Sequence, residues 1–86
     1  MKIIFLKSFI KSFDKLSKKD RDTVTETLSK FKSNPFDADL KNHALKWGLQ
    51  NIRAISAKHD LRILYKEEWD HAIVYLIKTG THNQVY

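Results

Sequence analysis

The chain has 86 residues, 42% of them hydrophobic and 30% charged, which suits one small globular domain over residues 1–86 and argues against a disordered segment. It has no cysteine, so disulfides, thiolate chemistry and sulfur-ligated zinc are excluded. The formal net charge is +6, and residues 1–33 carry nine Lys or Arg against four Asp or Glu, while residues 34–86 carry seven against six. A basic surface of this kind attracts nucleic acid, an anionic membrane or an acidic protein, or simply keeps the chain in solution.

The start, Met1-Lys2-Ile3-Ile4-Phe5-Leu6-Lys7, holds only four consecutive apolar residues. That is too short for a signal-peptide core or a membrane span, so Ile3 to Leu6 reads as a strand, no membrane is expected and the cytoplasm is the expected location. Phe9, Ile10, Phe13 and Leu16 then follow helical spacing, and the first helix should end at Leu16-Ser17. Ser17-Lys18-Lys19-Asp20 reads as a capping box that opens a second helix, Lys18 to Lys32, with Val24, Leu28 and Phe31 as its buried stripe. Asn34-Pro35 closes that helix, because the residue before a proline disfavours helical geometry. Residues 34–50 read as irregular, with Phe36 and Leu40 as anchors and Trp47 as either a core or a base-stacking residue.

Three strands follow, at 52–57, 61–67 and 71–78, joined by the short turns Lys58-His59-Asp60 and Glu68-Trp69-Asp70. The last is apolar on both faces and should lie centrally, with room for a short terminal strand at Val85-Tyr86. The expected fold class is α+β, in the order β-α-α-β-β-β, with a helical hairpin packed on a small twisted, mainly antiparallel sheet. The expected core is Ile4, Leu6, Phe9, Phe13, Leu16, Val24, Leu28, Phe31, Ile63, Tyr65, Val74 and Leu76.

Over nearly its whole length the chain resembles the RelE/ParE toxin superfamily, and most closely the YafQ-like, mRNA-cleaving branch; the N-terminal strand and helical hairpin match in order and length, the C-terminal half in residues. The residues that carry the resemblance are His43-Ala44-Leu45, Gly48-Leu49-Gln50-Asn51-Ile52-Arg53, Asp60-Leu61-Arg62-Ile63-Leu64-Tyr65 and Gly80-Thr81-His82-Asn83-Gln84-Val85-Tyr86. The last string is the most specific: a glycine, a histidine two residues on, and an aromatic four residues later. The resemblance implies a toxin of a toxin–antitoxin pair that cleaves mRNA on the ribosome and is neutralised by a cognate antitoxin. It implies site roles for His43, Asp60 and the catalytic His82, with Arg53 and the terminal aromatic Tyr86. The YafQ-like pattern has a further histidine four residues before the aspartate, and here that position is Ser56. A ParE-like gyrase inhibitor without nuclease activity, or a catalytically weak member that retains antitoxin binding, is the alternative reading.

The residues can also be weighed by their own chemistry. RNA cleavage without a metal needs a base for the 2′-hydroxyl proton, an acid for the departing 5′-oxygen, and cations for the phosphoryl charge. Histidine suits either proton role, and the arginine fork matches two phosphate oxygens. His82 is the expected general acid, with His43 or Asp60 as the base; equally, His43 reads as an exposed loop residue and Asp60 as a turn aspartate bonded to its own backbone. Arg53 and Arg62 can project from one face of adjacent strands if register permits, or form a solvated sheet face. Lys41, Lys46, Lys58 and Lys66 are expected to contact phosphates, and Tyr86 to stack on a base. His59 and His71 read as surface residues in turns. The histidines at 43, 59, 71 and 82 lack metal-ligand spacing, and neither a metal nor a cofactor is expected. The basic helices offer a grip for ribosomal RNA or an acidic antitoxin segment.

Overall fold

The computed structural model describes residues 1–46 and 51–86. Trp47 and the Gly48-Leu49-Gln50 part of the motif lie outside the described residues, and so does the role expected for Trp47. Strand β1 (Lys2–Phe5) leads into helix α1 (Lys7–Asp14) and helix α2 (Lys18–Ser33). A 3-10 turn at Ala38–Leu40 and a two-residue strand β2 (His43–Ala44) follow, then β3 (Arg53–Lys58), β4 (Leu61–Glu68), β5 (Ile73–Thr81) and a one-turn helix α3 (His82–Val85). The sheet order is β1-β5-β4-β3-β2, with β1 parallel to β5 and every other pair antiparallel. This is the expected α+β architecture of a helical hairpin on a small, mainly antiparallel sheet.

The hairpin forms because its two apolar stripes cannot be buried separately. Phe9 and Phe13 lie one turn apart on α1 and stack at 5.8 Å, while Val24 and Phe31 of α2 are fully buried. Ser17 caps α2 by accepting the Asp20 N–H at 3.1 Å. The other half of the expected capping box does not form, because the Asp20 carboxylate pairs with Lys58 of β3 instead. The Arg21 guanidinium donates to the Leu16 carbonyl at 2.7 Å and closes the joint between the helices.

Four further expectations are corrected. In β1, Ile3 rather than Ile4 packs on the core beneath the hairpin, since successive strand residues face opposite sides and the parallel register with β5 selects the first of the pair. The segment taken as wholly irregular contains β2, which pairs with Ala54 and Arg53. The fifth strand starts at Ile73 instead of His71, because Trp69, Asp70 and His71 all have positive φ and bend the turn. The C-terminus is helical at 82–85 instead of a strand, for the reason given below. Among the described residues no helix is long and apolar enough to cross a membrane.

Candidate active site

The register decides which side chains can meet. Arg53 pairs with Tyr65 across β3 and β4, whereas Ser56 pairs with Arg62. Residues opposite one another share a face, and successive residues along a strand do not. Tyr65 belongs to the core beneath the hairpin, while Leu64 packs with Ala54 and Val85 on the other side. The two arginines therefore leave the sheet on opposite faces.

On the α3 face, one recess of about 480 Å³ is lined by His43, Ala44, Leu45, Lys46, Arg62, His82 and Tyr86. Helix α3 builds one wall. The Thr81 hydroxyl accepts the Gln84 N–H at 3.3 Å, and the Gln84 side-chain carbonyl accepts the Thr81 N–H at 2.8 Å, a complete capping box. Gly80 makes room for it: a Cβ at that position would lie 2.7 Å from Gln84 Oε1. The sequence Gly80-Thr81-His82-Asn83-Gln84 thus encodes a sharp strand-to-helix turn that presents His82 in the first turn of α3. The T-x-x-Q spacing was the legible signal for this helix.

Asp60, in the β3–β4 turn, fixes the same corner. Its main-chain carbonyl and its carboxylate accept the His82 backbone N–H at 3.1 and 3.3 Å. The His82 ring is exposed and meets the Tyr86 ring edge to face at 4.4 Å. Burial pushes the Tyr86 phenol above its ordinary value, and the nearby Arg62 charge opposes that rise. The Arg62 Nη1 donates to the His59 carbonyl at 2.7 Å, which anchors the guanidinium over the turn. No carboxylate pairs with it among the described residues.

His43 enters from β2. Its Nδ1 lies 2.9 Å from the Lys41 carbonyl. That contact holds the proton on Nδ1 in the neutral ring and leaves the Nε2 lone pair available. The structure therefore brings together His43, Arg62, His82, Tyr86 and Lys46. Asp60 stands behind the backbone of His82. Lys58 is ion-paired to Asp20. Lys41 lines a different recess, with Asp39, Ser56 and His59.

Arg53 lies in a separate network on the hairpin face. Its Nε donates to Asn42 Oδ1 at 2.9 Å and its guanidinium stands 5.4 Å from the centre of the Phe36 ring. The Asn42 amide in turn donates to the Tyr65 hydroxyl at 2.7 Å, and that hydroxyl lies 2.7 Å from His71 Nε2. The His71 side chain is 10% exposed, so it is not the surface residue its turn position suggested. Burial lowers its pKa, against the opposing pull of Glu67. Asn42 was missed in the sequence because a lone asparagine in a polar loop carries no pattern.

No family model matches the chain. No curated protein matches it either. Solved structures do. A copper-bound point mutant of a toxin from Helicobacter pylori is 26% identical, with a TM-score of 0.76, and the match covers 100% of this chain and 99% of that one. YafQ of E. coli is 20% identical over 98% of this chain and 96% of its own, with a TM-score of 0.82. A chain of the RelBE2 toxin–antitoxin complex of Mycobacterium tuberculosis is 16% identical over 94% and 96%, with a TM-score of 0.78. The chain shares the fold of these toxin structures. Copper is a property of the first relative; in this chain no group of three His, Cys, Asp or Glu side chains converges as metal ligands among the described residues.

Proposed function

We propose that this chain, as one RelE-like domain, is the toxin of a toxin–antitoxin pair and acts in the cytoplasm as a YafQ-like endoribonuclease on translated mRNA. The observation that carries this reading is the convergence of His43, His82 and Arg62 on one open recess. In the proposed reaction the 2′-hydroxyl of the substrate attacks the adjoining phosphorus. His43 Nε2 takes the hydroxyl proton, and protonated His82 gives a proton to the 5′-oxygen as the P–O5′ bond breaks. The products are a 2′,3′-cyclic phosphate and a 5′-hydroxyl. Arg62 offsets the charge on the non-bridging oxygens, Lys46 holds a neighbouring phosphate and Tyr86 stacks on a base.

The geometry favours His43 over Asp60 as the base, since the Asp60 carboxylate is engaged by the His82 backbone. It favours Arg62 over Arg53 at the phosphate, and makes Arg53 a residue that positions the His43 loop through Asn42. An antitoxin is the proposed protein partner, supported by the complex among the structural relatives and by the thin stability margin of so small a domain.

Replacing His82 with alanine should cut the cleavage rate by roughly 10²–10⁴-fold and leave the melting temperature nearly unchanged. Primer extension on mRNA from cells expressing wild type or H82A, beside a gyrase supercoiling assay, tests this. Codon-phased cuts that vanish in the variant are expected. No cuts, with gyrase inhibited equally by both proteins, would overturn the reading in favour of a ParE-like inhibitor.

A further inference from the structure

On the other side of α3 lies a second recess, of about 410 Å³, whose lining includes Ser8, Lys11, Ser12, Lys15, Lys78 and Gln84. We propose that it binds the phosphodiester backbone of single-stranded RNA, as a continuation of the His82 recess; this rests on the nuclease reading of that neighbouring site. The floor is rigid. The Ser8 hydroxyl donates to the Ile77 carbonyl, and the Ser12 hydroxyl accepts the Thr79 N–H at 3.0 Å while donating to the Phe9 carbonyl at 2.9 Å. These bonds lock α1 against β5 and set Lys11 and Lys15 beside Lys78.

The recess differs from the ion-paired part of the basic surface, where Lys18 pairs with Asp22, Lys30 with Asp39 and Lys58 with Asp20. Lys11, Lys15 and Lys78 pair with no carboxylate among the described residues, and none lines the recess. Three unneutralised cations on a rigid floor form a site for a polyanion.

Position gives the ligand its class. His82 and Tyr86 face the first recess, and Gln84, on the same helical turn, faces the second. A helix is about 10 Å across with its side chains, roughly the span of three stacked nucleotides at ~3.4 Å each. A strand held at His82 can therefore pass over α3 and lay its next phosphates among the three lysines. Such contacts hold the strand without reading its sequence.

The test uses the H82A protein, so that RNA is bound and not cut, and a short fluorescein-labelled oligoribonucleotide read by anisotropy over a range of salt. Changing Lys11, Lys15 and Lys78 together to glutamine should make the slope of log affinity against log salt shallower by about 2, since each single-strand phosphate contact contributes about 0.7. A charge-matched control at three lysines that pair with no carboxylate among the described residues and lie outside the recess, K2Q/K19Q/K32Q, should leave the slope near that of H82A. Circular dichroism melts confirm that both triples fold; if the first does not, the three single substitutions are measured, each expected to remove about one third of the effect. Equal slope changes in the two triples would reduce the recess to general attraction and overturn the proposal. So would an unchanged slope. If the lysine triple behaves as expected but wild type cuts no mRNA, the RNA site stands and the nuclease reading falls.

Discussion

The two faces of the sheet treat histidine in opposite ways. Beneath the helical hairpin, His71 is nine-tenths covered, its Nε2 held against the Tyr65 hydroxyl and its ring packed edge-on to Phe31 and Phe36. On the α3 face, His82 is exposed, held by its backbone and touched at its ring by Tyr86. The packing differs in the same sense. The hairpin face buries Phe9, Val24, Phe31, Leu40, Ile55, Leu61, Ile63, Tyr65, Val74 and Leu76, while the α3 face buries Ala54, Leu64 and Val85 among the described residues. A histidine bound into a packed network stabilises the fold but cannot meet a substrate. One fixed only through its main chain contributes little to the fold and keeps both ring nitrogens for chemistry.

This contrast is sharpest for truncations. Phe31→Ala removes a fully buried ring that meets Tyr65 at 4.8 Å, and should cost about 3–5 kcal/mol. For a domain of this size that is most of its stability, so the urea midpoint should fall far or the protein should be unfolded at room temperature. Val85→Ala on the other face should cost only about 1 kcal/mol. Comparable losses at the two sites would remove the distinction between a scaffold face and a working face.

Much of this division was legible in the sequence, and the part that was not has physical causes. The helical stripes Phe9-Phe13 and Val24-Phe31 and the three long strands follow from periodicity, which the packing obeys. The separation of Arg53 from Arg62 could not be read, because it depends on the pairing of Arg53 with Tyr65, and a slip of one residue would reverse it. His71 was misjudged for a related reason. Its turn position is real, but three successive left-handed residues curl the turn inward and bury its ring, and composition gives no sign of that. Among the site residues, the Gly80-to-Tyr86 string was readable because its spacing is local. The approach of His43 from β2 is a long-range event that no local pattern records.

The hydroxyl of Tyr65 tests the network rather than the packing. Asn42 donates to it and His71 stands on its other side, and all three groups are at least partly buried. Tyr65→Phe keeps the ring and removes the bridge, leaving two polar partners unmatched, at a cost of about 1–3 kcal/mol. Because Asn42 immediately precedes His43, the variant should also slow cleavage, whereas its RNA affinity should hold. Denaturant titration and single-turnover kinetics read the two effects separately. A stability loss below about 0.5 kcal/mol would mean that the bridge is incidental.

The smallest expected effect is one of pH. Burial holds the folded-state pKa of His71 below its ordinary value of 6.5, with the Arg53 charge acting in the same direction and Glu67 and Asp70 against it. The unfolded chain therefore binds more protons at this site than the folded chain in the interval just beneath 6.5, and stability rises with pH across that interval. The contribution is fully present above 6.5 and is lost as pH falls through the folded value. Burial is the main cause; the Tyr65 hydroxyl, which accepts from Asn42 and lies 2.7 Å from His71 Nε2, can donate to that nitrogen only while it carries no proton. His71→Gln keeps an acceptor near the hydroxyl and cannot titrate. Thermal melts between pH 7.5 and 5.5 should show the wild-type melting temperature falling more steeply on acidification than that of H71Q. Parallel curves would place His71 outside the folding equilibrium and leave its burial without a thermodynamic consequence in this range.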